Sequence, residues 1–115
     1  MTGNKLLQKF PETVRQREDR IFARFTPSDF AVVRLEDIRE EDFTPIGVAR
    51  IVVEASNHGN RPVDLRAKDT AEFVSGLMDH SWKKLIGDAL ESLGYDYTQR
   101  MNKQEEGYYY VLNPK

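Results

Sequence analysis

The feature that most constrains this chain is an apolar-striped helical stretch from Thr70 to Leu93 that stops at Gly94 and hands over to two tyrosine-rich alternating segments. A helix followed by a hairpin must bury one helix face against one sheet face, so an α+β fold is predicted. Asp69, with Glu72 three residues on, suits a capping box at the start of the helix, and Gly94 suits a left-handed end. Phe73, Val74, Leu77 and Met78 fall on a different helical face from Trp82, Leu85, Ile86, Ala89, Leu90 and Leu93. One straight helix would have to bury both faces. A kink or break is therefore expected near Asp79, His80 and Ser81, with Ser81 capping a second segment.

The segments after Gly94 read as a hairpin built from all of the chain's tyrosines. Tyr95, Tyr97, Gln99 and Met101 point one way, the loop Asn102 to Gly107 turns the chain, and Tyr108 to Leu112 returns. Tyr108 and Tyr110 share a face and Tyr109 takes the other, so neither side of the hairpin is polar. One face is expected to pack on the helix and the other to meet a partner.

Upstream, Pro11 stands where a first-turn proline would. Val14, Ile21, Phe22 and Phe25 recur at helical spacing until Pro27, which predicts a first helix. Phe30 to Leu35 reads as a strand, and Gly47 to Ala55, with Val48, Ile51, Val52 and Val53, reads as another. Asn57, His58, Gly59 and Asn60 are turn formers before the alternating Val63, Leu65 and Ala67, so a further hairpin is expected there. Together these elements describe one α+β domain over residues 1–115: an N-terminal helix, an antiparallel or mixed sheet of about five strands, a long interrupted helix on one sheet face and a C-terminal hairpin.

The composition is 39% apolar and 31% charged with a formal charge of -2, which belongs to a folded globular chain and gives no general attraction to nucleic acid or membrane. No run of 18 apolar residues exists, Met1 to Phe10 has too short an apolar stretch for a signal peptide, and the chain has no cysteine. A cytoplasmic protein is expected, without disulfides or thiolate chemistry.

Motifs for catalysis are missing. Neither His58 nor His80 has a carboxylate or second histidine at helical zinc spacing. Glu54, Asp64 and Lys68 fall on adjacent predicted strands, where carboxylates gather magnesium in nucleases. The position two before the lysine is Arg66, however, so these read as solvent-facing strand charges. No serine lies in a nucleophile elbow, and no glycine-rich loop cradles phosphate. The reading is a non-enzyme without cofactor or metal.

Binding signals are charged and aromatic. Arg15, Arg17, Arg20 and Arg24 lie on the first predicted helix, interleaved with Glu12, Glu18 and Asp19. Glu36, Asp37, Glu40, Glu41 and Asp42 form an acidic connector between the first two predicted strands. Residues 1 to 34 hold seven basic and four acidic side chains, a net of +3, whereas residues 35 to 72 hold five and nine, a net of -4. With His58 in its turn and Tyr109 on the hairpin, these are the candidate partner-binding residues.

The order of elements, with the hairpin entered through Gly94-Tyr95-Asp96-Tyr97 and closed by Gly107-Tyr108-Tyr109-Tyr110-Val111, resembles the tail terminator and tail completion (head-tail joining) proteins of long-tailed bacteriophages over about residues 45–112. That resemblance implies a non-enzymatic subunit of a homo-oligomeric ring, commonly a hexamer, which ends the tail tube and joins it to the head. It implies a place in the virion or the host cytoplasm, other virion proteins as partners, and the acidic connector, the Asn57 to Asn60 turn and the arginine helix as contact elements. Three alternatives stand beside it: a small phage-type inhibitor or regulator docked on a host protein, a nucleic-acid-binding module using the arginine helix, and a small metal-dependent nuclease.

Overall fold

A computed structural model describes residues 12–68 and 80–115. The first helix, α1, spans Val14–Phe22 and opens with a capping box: the Thr13 hydroxyl accepts from the Gln16 backbone N–H, and the Gln16 side chain accepts from the Thr13 N–H. Only its C-terminal end is apolar in effect. Ile21 and Phe22 are buried, whereas Val14, expected in the apolar stripe, is 76% exposed in the first turn of the helix.

Strand β1, Ala31–Arg34, follows a single 3-10 turn at Pro27–Asp29 and leads into two acidic 3-10 turns, Leu35–Asp37 and Glu40–Asp42. The next element corrects the sequence reading. Residues 47–55, expected as a strand, belong to helix α2, Pro45–Ala55. Thr44 caps it through a 3.0 Å hydrogen bond from the Gly47 N–H, and Pro45 occupies the first turn, where its missing N–H costs nothing. Val48, Ala49, Val52 and Val53 are buried along one helical face, so packing overrides the strand preference of the β-branched residues.

No hairpin therefore precedes β2, Val63–Arg66. Instead α2 is the crossover of a β-α-β unit, and β2 lies parallel to β1 with Ala31 opposite Val63. Asn57 to Asn60 do form a turn, with Asn57 and His58 at positive φ (52° and 58°), but it closes the end of α2.

Helix α3, His80–Ser92, already includes His80, so Ser81 is inside it and is not its cap. The expected capping box at Asp69 and Glu72 and the apolar set from Phe73 to Met78 lie outside the described residues, as does Asp79 at the expected kink. The helix ends as anticipated at Gly94, whose φ is 94°.

Strands β3, Tyr95–Asn102, and β4, Gly107–Pro114, form the predicted hairpin, with residues 103–106 turning the chain. The four-stranded mixed sheet has the order β1-β2-β4-β3, with β4 antiparallel to both neighbours. The fifth expected strand is the segment that folds as α2.

The main core sits between one sheet face and the pair α2 and α3, and includes Leu35, Val48, Val52, Leu65, Ile86, Leu90, Tyr108, Tyr110 and Leu112. The buried Tyr110 hydroxyl accepts a 2.6 Å hydrogen bond from Gln99 Nε2. On the other face a smaller cluster forms where Ile21 and Phe22 of α1 meet Val111, with Phe25, Phe30 and Tyr109 packed against it. Among the described residues one short helix packs on that face, too little to cover four strands.

A cleft on the open sheet face and two charged elements

The strand registers place one residue from each strand in a row across the open face: Val32, Asp64, Tyr109 and Arg100. Two residues further along β2 and β3 come Arg66 and Asn102, on the same side because strand side chains alternate. Asp64, Arg66, Tyr109, Arg100 and Asn102, with Phe22, Phe25, Pro27 and Phe30 above them and Gln104 and Glu105 from the hairpin turn, line a cleft of about 360 Å³.

Its floor is charged. Asp64 is 3% exposed, and its carboxylate accepts from Arg66 Nε at 2.8 Å and from Asn102 Nδ2 at 3.0 Å. A buried carboxylate without such donors would carry a desolvation cost of several kcal/mol, on the order of the figures for unpaired interior ions. The hydrogen bond to Asp64, together with its charge, raises the Arg66 pKa above the ordinary guanidinium value. Asn102 is engaged at both ends, since its Oδ1 accepts from the Glu105 N–H at 3.4 Å. The nuclease grouping is thereby corrected. Asp64 is a buried, paired residue and not a solvent-facing strand charge, and Glu54 stands on α2 instead of a neighbouring strand.

Its walls are aromatic. The Phe30 and Tyr109 rings are tilted with centroids 5.0 Å apart, Phe22 lies 6.2 Å from Tyr109, and Phe25 meets Phe30 edge to face at 6.2 Å. The loop that presents Phe25 and Phe30 is tied by Asp29, whose carboxylate accepts from the Thr26 N–H at 2.7 Å. Arg100 lies over the Phe22 ring, 5.2 Å from its centroid, and pairs with Asp19 of α1. Burial raises the Tyr109 pKa above the ordinary phenol value, and the negative charge of Asp64 adds to the shift.

Of the candidate partner-binding residues, Tyr109 alone belongs to this cleft. Arg15, Arg17 and Arg20 are exposed on α1, and Arg24 follows it with its guanidinium 5.5 Å from the Phe25 ring centroid. Arg20 is engaged with Glu12 at 2.9 Å, which lowers the Glu12 pKa and raises that of Arg20. Arg17 lines a shallower hollow beside β3 with Val14, Glu18, Lys83, Glu91, Tyr97, Thr98 and Gln99. Glu36, Asp37, Glu40 and Glu41 are exposed and Asp42 half-buried, all in the 3-10 turns after β1. His58 Nδ1 stands 3.1 Å from the Tyr95 hydroxyl.

Asp64, Arg66, Arg100 and Asn102 were not singled out as a binding group. The available signal was the pair Asp64 and Arg66 alternating with the apolar Val63 and Leu65, which gives β2 one polar face. Among the described residues, no group of three or more His, Asp or Glu side chains is placed to hold a metal ion, and no helix is long and apolar enough to cross a membrane. Comparison with protein-family models, with curated proteins and with solved structures finds no match to this chain.

Proposed function

We propose that the protein is a non-enzymatic assembly subunit that associates into a homo-oligomeric ring, the role implied by the resemblance to phage tail terminator and head-tail joining proteins. The observation that carries this reading is the position of the two charged elements at opposite edges of the sheet. The arginine-bearing α1 packs beside β3, one edge strand, and the acidic turns follow directly from β1, the other. Opposite charge on opposite edges favours heterologous, head-to-tail contact between copies, and such contacts close into rings when the rotation allows. Among the described residues β1 and β3 are the sheet edges, and their outer backbone groups are ones that a neighbouring copy would cover. In this reading the other partners are virion proteins, and the protein works in the virion or the host cytoplasm.

The test is solution mass by light scattering behind a sizing column, over a range of concentration and salt. A discrete oligomer several times 13.3 kDa, loosened by salt and by combined Arg15→Glu and Arg17→Glu, is expected. Adding Asp37→Lys and Glu40→Lys to the same chain should restore it, because both faces are then reversed. A monomer under all conditions overturns the ring and leaves the alternative, an inhibitor or regulator of a host protein.

A further inference from the structure

We propose that the cleft on the open sheet face binds a single unpaired guanine base. This goes beyond the assembly reading and is independent of it. The cleft volume of about 360 Å³ lies in the range of small-ligand sites and accommodates a base with its sugar. Flat rings need flat walls, and Phe25, Phe30 and Tyr109 supply them.

The polar groups select among the bases. Arg66 spends its Nε–H on Asp64, which holds the guanidinium in place, and its side chain is 30% exposed toward the cleft. The four terminal N–H donors remain for a ligand. Glu105 also lines the cleft, and its carboxylate has no hydrogen bond or ion pair among the described residues. Glu105 shares that lining with Arg66 and Tyr109.

A fixed pair of donors beside a free pair of acceptors is the complement of guanine. O6 and N7 accept from a guanidinium in the bidentate manner, and N1–H and the N2 amino group donate to a carboxylate. Adenine would turn its N1 lone pair toward the Glu105 carboxylate, and the pyrimidines have no counterpart to the adjacent O6 and N7. The weak general attraction for nucleic acid is no obstacle. Recognition here rests on stacking and on the base edges, with few phosphate contacts, so affinity should fall only gently with salt.

The same base arrives either as a free nucleotide or in a single strand, and the experiment separates the two. The full chain is titrated calorimetrically with GMP, AMP, CMP and UMP, and then with oligothymidine hexamers with and without one central dG. GMP is expected to bind at least about tenfold more tightly than AMP, in line with the discrimination of one good bidentate pair. A hexamer that binds through its single dG more tightly than GMP identifies a strand as the source, and GMP alone identifies a nucleotide. Glu105→Gln should lower GMP affinity about tenfold or more and narrow the preference over AMP, because the amide can donate to adenine N1, while the melting temperature stays unchanged, since the Glu105 side chain holds no other group among the described residues. Phe25→Ala should weaken all bases together. Absence of saturable GMP binding at about 1 mM with no dG preference, equal affinity for the four nucleotides, or an unaltered GMP affinity in the Glu105 variant each overturns the assignment.

Discussion

Asn102 Nδ2 donates a 3.0 Å hydrogen bond to the buried Asp64 carboxylate although strand β4 runs between the two strands that carry them. The residue of β4 paired with Asn102 is Gly107, which offers no side chain to block the way. A Cβ at Gly107 would run into the Leu65 carbonyl, so the close strand approach and the polar cross-link depend on the same glycine.

Removing the donors of Asp64 should rank by charge. Arg66→Ala leaves a buried carboxylate facing one amide, and a loss of about 3 kcal/mol is expected, the lower end for breaking a buried pair because Arg66 is 30% exposed. Asn102→Ala removes a neutral donor and should cost about 1–3 kcal/mol. Urea unfolding of the two variants measures both, and equal losses would show that charge is not what holds Asp64.

Gly87 of α3 faces the Tyr97 ring so closely that a Cβ there would overlap the phenol oxygen. Gly87→Ala is therefore expected to destabilise by about 1–3 kcal/mol through overpacking, against the usual gain of an alanine inside a helix. In a double-mutant cycle with Tyr97→Ala the alanine should cost less than in the parent, or stabilise. Additive losses would place the strain elsewhere.

Thr44 distinguishes the helical from the extended form of residues 45–55. Thr44→Ala deletes the hydroxyl that accepts from the Gly47 N–H and should cost about 0.5–2 kcal/mol, with Thr44→Ser close to neutral. Backbone chemical shifts across Pro45–Ala55 should carry the helical signature in the parent protein. A strand at this position would be indifferent to the loss of the cap.

Alkaline pH should unfold the protein through its tyrosines. Burial raises the pKa of Tyr97, Tyr109 and Tyr110 above 10.0, most of all for Tyr110. A raised folded-state pKa means that the folded chain keeps its protons longer than the unfolded one. The stabilisation is fully present below about pH 10 and is lost as pH rises toward the folded values. Denaturation midpoints should therefore fall with rising pH in that window, and tyrosinate absorbance should rise together with loss of structure. Tyrosinate formation well before unfolding would contradict the burial.

The β3–β4 hairpin was legible because everything that specifies it is local. Alternation from Tyr95 to Met101, a turn of polar residues and a return through Tyr108 to Leu112 fix which side chains share a face, whatever the rest of the chain does. Helix α2 was misread for an equally physical reason. Val48, Ile51, Val52 and Val53 favour strands as isolated residues, while the overlooked signals were the Thr44-Pro45 start and the burial of Val48, Ala49, Val52 and Val53 on one helical face. That single change removes a strand, abolishes a hairpin and turns the β1–β2 pairing parallel.

The cleft was illegible because its one local cue, the polar face of β2, does not say which residues that face meets. Its ties join Asp64 to Asn102 and Asp19 to Arg100, positions 38 and 81 residues apart. Periodicity encodes which face of an element turns inward, so composition and pattern alone establish an α+β chain with an N-terminal helix, a helix stopping at Gly94 and a tyrosine hairpin with two unlike faces. Strand order, the parallel β1–β2 pair and the burial of Asp64 depend on which elements meet. That choice follows from the apolar area the chain can cover at once, with α2 and α3 on one sheet face and, among the described residues, the short α1 on the other.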